Sequence, residues 1–129
     1  MELAVLLPFL LFLAVIATDW ARMLYYTITI ENCARNGALY ACDSDTRSKS
    51  PYANVTVAAL AEAPNLTPTP TVSQTDLADG GDGQKAVVVT VSMTFTSITN
   101  FSYPKLFGVP NSEAISRSVQ MRVEPITPN

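Results

Sequence analysis

Glu2 and Asp19 are the carboxylates of an otherwise apolar opening, MELAVLLPFLLFLAVIATDWAR, where a charge has few inexpensive uses. Within hydrocarbon an unpaired carboxylate is costly, so Glu2 is expected at a membrane interface, or protonated, or matched to a cationic group in an assembly. Asp19 has a partner three residues on in Arg22, and Glu31 has one four residues on in Arg35. On an exposed helix such pairs contribute about 0.2–0.5 kcal/mol each. The chain contains no histidine. That removes a Ser-His-Asp triad, a Cys-His pair and the histidine-containing zinc sites, so no catalytic residue, cofactor or resident metal is expected. Asp76, Asp79 and Asp82 sit among glycines, but their spacing does not match an EF-hand loop, and a polar turn accounts for them. Cys33 and Cys42 are nine residues apart, which on one continuous helix puts them on opposite sides with Cα atoms ~13 Å apart, beyond the ~7 Å a disulfide tolerates. Either the helix breaks before Cys42 or the two stay unjoined.

The element that must carry Glu2 and Asp19 is a membrane-length helix. Leu3 to Ala17 has no polar side chain and would be ~23 Å long as a helix, against a hydrocarbon core of ~30 Å. Counting on through Ala21 gives ~28 Å, with Trp20, Tyr25 and Tyr26 where amphipathic rings favour the interface. Residues 1–21 are therefore the expected membrane part, with Pro8 bending it, and residues 22–129 the soluble domain. The net charge of −3 and the scattered Lys and Arg residues give no nucleic-acid footprint, and nothing points to a small-molecule substrate.

Beyond the apolar run, Ile30, Ala34, Gly37, Ala38 and Ala41 recur at three- and four-residue intervals, a stripe small enough for close approach to a sheet or a second helix. The β-branched YTITI from Tyr26 to Ile30 pulls towards strand, but the stripe and the ion pairs on both sides need one helical phase. Cys42 to Ser50 reads as a loop. Ser50-Pro51 reads as the cap and first turn of a second helix of about twelve residues that Pro64 ends. Pro68 and Pro70 lead into an edge strand around Thr71–Thr75, and ADGGDGQ is a turn. Ala86–Ile98 alternates Val87, Val89, Val91, Met93 and Phe95 with Thr and Ser, a half-buried strand. Ile115–Val123 repeats the design with Val119, Met121 and Val123 inward and Arg117 interrupting that face. The apolar connection from Thr99 to Ala114, with Phe101, Tyr103, Leu106 and Phe107, must cover something, while the tail EPITPN is loose. The expected fold is α+β: a long N-terminal membrane helix continuing into a pilin-like domain with a short second helix and a two- or three-stranded antiparallel sheet.

Glu2, Pro8, Asp19, Arg22, Tyr25 and Tyr26, followed by Ala34, Arg35, Gly37, Ala38 and Ala41, form a pattern that resembles the N-terminal signature of TadE-like minor pseudopilins of the tight-adherence (Flp pilus) system. The strands VVVTVSMTFTSI and ISRSVQMRVEP are similar to that family's C-terminal strands. The resemblance implies a non-enzymatic role in assembly of a tight-adherence pilus, a single-pass location in a bacterial inner membrane with the C-terminal domain periplasmic, and other pilin subunits and the assembly machinery as partners beside the lipid bilayer. It makes Glu2, Pro8, Asp19, Arg22, Arg35 and Gly37 the assembly candidates, and it gives Glu2 a cationic partner, a neighbouring subunit's N-terminal amine. Family members carry a basic leader before the glutamate. This chain has no Lys or Arg before Arg22, so the start as given is expected to follow that leader, or the leader to be absent. Two other classes stand beside this one. A secreted binding domain would follow a signal peptide cut near Val15 and Ala17, although a basic n-region is missing, and a signal-anchored envelope protein would have no pilus role.

Overall fold

The computed structural model describes residues 2–98 and 112–123. Helix α1 runs from Glu2 to Cys42, followed by α2 (Ser44–Lys49), α3 (Val55–Leu60), β1 (Thr71–Leu77), β2 (Ala86–Thr96) and β3 (Ser112–Arg122). At 41 residues α1 is ~62 Å long, and Pro8 lies inside it without ending it. The YTITI stretch is helical. Thr27 Oγ1 donates to Met23 O and Thr29 Oγ1 to Tyr25 O, both at 2.8 Å, so these hydroxyls bond to the carbonyl one turn back within the helix.

The sheet is antiparallel in the order β1-β2-β3, with β2 in the middle. Val87, Val89, Val91, Met93 and Phe95 of β2 are all buried against α1, which presents Ile30, Cys33, Ala34, Ala38 and Ala41 to them. The alternation in β2 and the small-residue stripe in α1 are thus two sides of one core, with Ile115 buried beside them and Val72, Val119, Met121 and Val123 partly so. On the opposite face Thr90 Oγ1 and Ser118 Oγ, which are register partners, lie 2.8 Å apart. Arg117 faces Val91 in register and is exposed, as its interruption of the apolar pattern implies.

Several boundaries differ from the sequence reading. The expected loop after Cys42 contains α2, and Arg47 Nη2 donates to Ala41 O at 2.7 Å, capping a C-terminal carbonyl of α1. The second helix is half as long as expected. Ser50 does not cap it: its Oγ accepts from Tyr52 N–H at 3.2 Å, while Tyr40 Oη donates to Tyr52 O at 2.9 Å and ties that segment to α1. Asn54 is the cap instead, accepting from Val57 N–H at 2.9 Å. At the other end Asn36 Nδ2 donates to Ala58 O at 2.7 Å, taking the carbonyl that another turn of α3 would use. The edge strand β1 extends to Leu77, β2 stops at Thr96 and β3 begins at Ser112. Residues 99–111 of the apolar connection and the tail from 124 onward lie outside the described residues.

The turn between β1 and β2 is held by its own aspartates. Asp79 accepts from Gly81 N–H at 2.8 Å and Gly83 N–H at 2.7 Å, and Asp82 accepts from Gln84 N–H at 3.1 Å. Gly81 and Gly83 have φ of 102° and 79°, a backbone conformation that suits glycine. Arg122 of β3 pairs with Asp82 across the sheet. The hydrogen bonds from Gly81 and Gly83 lower the pKa of Asp79 below its ordinary value. A depressed folded pKa contributes stability that is complete above the ordinary carboxylate range and is lost as pH falls through the depressed value. Asp79→Ala is therefore expected to be less stable than wild type at neutral pH, with the gap closing in acid, as followed by amide exchange at Gly81 and Gly83.

Gly37 lies at a close approach of α1 to α3 and β2. A Cβ there would lie 3.1 Å from both Ala59 Cβ and Val89 Cγ1, and 3.5 Å from Val55 Cγ1. Gly37→Ala gains about 1 kcal/mol of helix propensity and loses a comparable amount to crowding. Gly37→Leu must force α3 and β2 away and is expected to cost about 1–3 kcal/mol, measured by urea unfolding of the detergent-solubilised chain.

Candidate functional site

The six sequence candidates all lie on α1 but do not form one cluster. Glu2 opens the helix, and Pro8 is exposed in its projecting apolar part. Arg35 is on the outer face, its Nη2 3.7 Å from Glu31 Oε1, an exposed pair as expected. Gly37 is buried at the crossing with α3 and β2. Asp19 and Arg22 are together, and around them the structure builds a polar node between the helix and the end of the sheet.

Asp19 is 1% exposed, which overturns the expectation of a solvated surface pair. Its helical position points the side chain towards the sheet, on the same side as Tyr26 and Ile30. There Asp19 Oδ1 lies 3.4 Å from Arg22 Nη1 and accepts from Ile98 N–H at 3.2 Å, just past the end of β2. A hydrogen bond to a carboxylate is among the stronger ones and becomes more so away from water. It joins residues 79 apart in sequence. Arg22 extends over two rings, its guanidinium carbon 5.6 Å from the Tyr26 centroid and 5.5 Å from that of Phe95. It also donates to Tyr26 Oη at 3.4 Å, and the Tyr26 and Phe95 rings meet edge to face at 5.6 Å.

This arrangement corrects one aromatic assignment. Trp20 and Tyr25 are exposed, but Tyr26 turns inward beneath Arg22. The sequence held the signal: Tyr26 is seven residues after Asp19 and four before Ile30, on the buried stripe. Phe95 was assigned to the core by its alternation, but its contact with Arg22 depends on where β2 ends against α1. Ile98, expected as strand, lies beyond it and serves the site through its backbone. Ser97 beside it has a buried Oγ with no hydrogen-bond partner among the described residues.

Among the described residues no three metal-ligating side chains gather, and the aspartates of the β1–β2 turn are engaged with backbone amides and Arg122. Cys33 and Cys42 lie nine residues apart on one unbroken helix, and no disulfide links them. What the node does is fix the end of β2 to the middle of a helix that is long and apolar enough to cross a membrane.

The class so defined is an α+β chain on a membrane-length N-terminal helix. Residues 1–39 match the model of a family described as TadE-like protein, the family that the N-terminal pattern resembles. The matched segment takes in Glu2, Pro8, Asp19, Arg22, Arg35 and Gly37 and leaves the sheet outside it. No curated protein and no solved structure matches the chain.

Asp19→Ala would leave Arg22 and the Ile98 N–H without this acceptor and is expected to cost about 2 kcal/mol. Asp19→Asn retains an acceptor for Ile98 and should lose less. Unfolding in detergent micelles, followed by near-ultraviolet dichroism of the aromatic cluster, separates the two.

Proposed function

We propose that the chain is a non-enzymatic minor pseudopilin that takes part in assembly of a tight-adherence (Flp, type IVb) pilus or a related secretion apparatus. The observation that carries the reading is the family match over residues 1–39, which coincides with a helix apolar on all sides at its start and packed on a sheet at its end. Val5, Leu6, Leu7, Phe9, Leu10 and Leu11 are all more than half exposed, a surface that water disfavours and lipid accepts. In this reading residues 1–21 anchor the chain in a bacterial inner membrane, and residues 22–129 form a periplasmic domain. Partners are the bilayer, other pilin or pseudopilin subunits and the assembly machinery.

Within that assembly the candidates divide by role. Glu2 offers a charge to a neighbouring subunit's cationic group at the membrane end of the helix, and Pro8 supplies local bending. Asp19, Arg22 and Gly37 hold the domain to the helix in a fixed pose, and Arg35 with Glu31 presents a charged outer surface. A strain lacking the gene should lose pili or surface attachment, and restoring the wild-type chain should recover them. Complementation with Glu2→Gln should give normal protein level and membrane insertion but reduced recovery, with weak co-purification of other pilin subunits. Normal piliation and adhesion in the deletion strain would refute the assignment and favour a signal-anchored envelope protein with no pilus role.

A further inference from the structure

The outer face of α1 is uncharged far beyond the expected membrane boundary at residue 21. Trp20, Leu24 and Ile28 lie on that face at four-residue steps, with Tyr25 on its flank, and all four are exposed at 40–59%. The two charges in this stretch are turned away from it: Asp19 is buried against the sheet end, and Arg22 lies over Tyr26 and Phe95. The first charged pair on the outer face is Glu31 with Arg35, both largely exposed. From Ala4 to Ile28 this side of the helix therefore runs ~37 Å without a charge, longer than the ~30 Å hydrocarbon core. Beside Asp19, on the sheet side and at the end of the sheet nearest the apolar segment, Ile98 is 66% exposed and puts an apolar residue at the membrane end of the domain.

We propose that the outer face of α1 remains in the lipid through Ile28, so that the bilayer boundary crosses the helix obliquely, between Ile28 and Glu31 on its outer side and nearer the N-terminus on its sheet side. The partner of this patch is a lipid surface. Three features favour lipid: the patch is continuous with the apolar segment, its charges are neutralised inside the chain, and its two exposed aromatic residues, Trp20 and Tyr25, are types that prefer the interfacial layer. The length in excess of the hydrocarbon core is taken up by tilt towards the outer face, within the range that spanning helices show. The domain then leans on the headgroups with Ile98 at the contact, instead of standing clear of the membrane.

The proposal rests on the membrane-spanning reading of residues 1–21, and depth-dependent fluorescence quenching tests the two separately. In a Trp20→Phe background, single tryptophans are placed by Leu10→Trp, Leu24→Trp, Ile28→Trp and Arg35→Trp, all at exposed positions. The full chain is reconstituted in phosphatidylethanolamine–phosphatidylglycerol vesicles carrying bromines near the headgroup end or near the terminal end of the acyl chains. Expected is strong quenching at position 10 by bromines deep in the chains. Positions 24 and 28 should be quenched several-fold more by shallow bromines than by aqueous iodide, and position 35 should show the reverse. Iodide quenching without lipid quenching at positions 24 and 28, with position 10 still quenched by lipid, overturns the oblique boundary alone. Loss of lipid quenching at position 10 as well overturns the spanning reading with it. Shielding of 24 and 28 from both quenchers, relieved by diluting the protein in lipid, would assign the face to a second copy of the chain and overturn the proposal.

Discussion

Everything in this domain depends on α1 keeping one helical phase from its apolar start to Cys42. Asp19, Tyr26, Ile30, Ala34, Gly37 and Ala41 can face the sheet together only if the chain between them never breaks. A local change of pitch around Tyr26–Ile30, where β-branched residues weaken helix propensity, would rotate Asp19 away from Ile98 and the small-residue stripe away from β2 together. The threonine hydroxyls bonded back to Met23 O and Tyr25 O sit in that stretch. Tertiary packing does the rest, as it does for most helices in proteins.

Two contacts of different kind hold the sheet to this rod. Near Gly37 the approach is steric, small residues against β2 and α3, and its strength comes from apolar area removed from water. Near Asp19 it is electrostatic and directional, a carboxylate taking the amide just past β2 while Arg22 covers the rings beside it. Apolar packing alone tolerates sliding of a strand along a helix. A hydrogen bond to a buried carboxylate does not, because a small displacement leaves the Ile98 amide without this acceptor. The polar node therefore fixes the register that the apolar contact leaves loose.

The sequence made the elements with strong periodicity legible, because their physics is local. The five alternating apolar positions of β2 are all buried, and the stripe from Ile30 to Ala41 packs as its spacing implies. The boundaries that failed were set by long-range partners. Asn36 ends α3 from another element, Arg47 gives the polar segment after Cys42 a helical partner, and neither interaction leaves a mark in local composition. The candidate site was read in the same uneven way. The Asp19–Arg22 pairing follows from spacing, but the burial of Asp19 depends on β2 arriving beside it, and only a helical-wheel comparison with Ile30 would have turned Tyr26 inward.

A helix with no linker between its apolar start and its sheet has a mechanical consequence. The 41 residues of α1 form one rod, so there is no slack segment to absorb a pull or a twist applied to the domain. A torque on the sheet turns the apolar part with it, and a tug on the domain is carried along the helix axis as far as Pro8. The load path passes through the Asp19 and Gly37 contacts, spaced ~27 Å apart along the axis, which is wide enough to resist levering as well as tension.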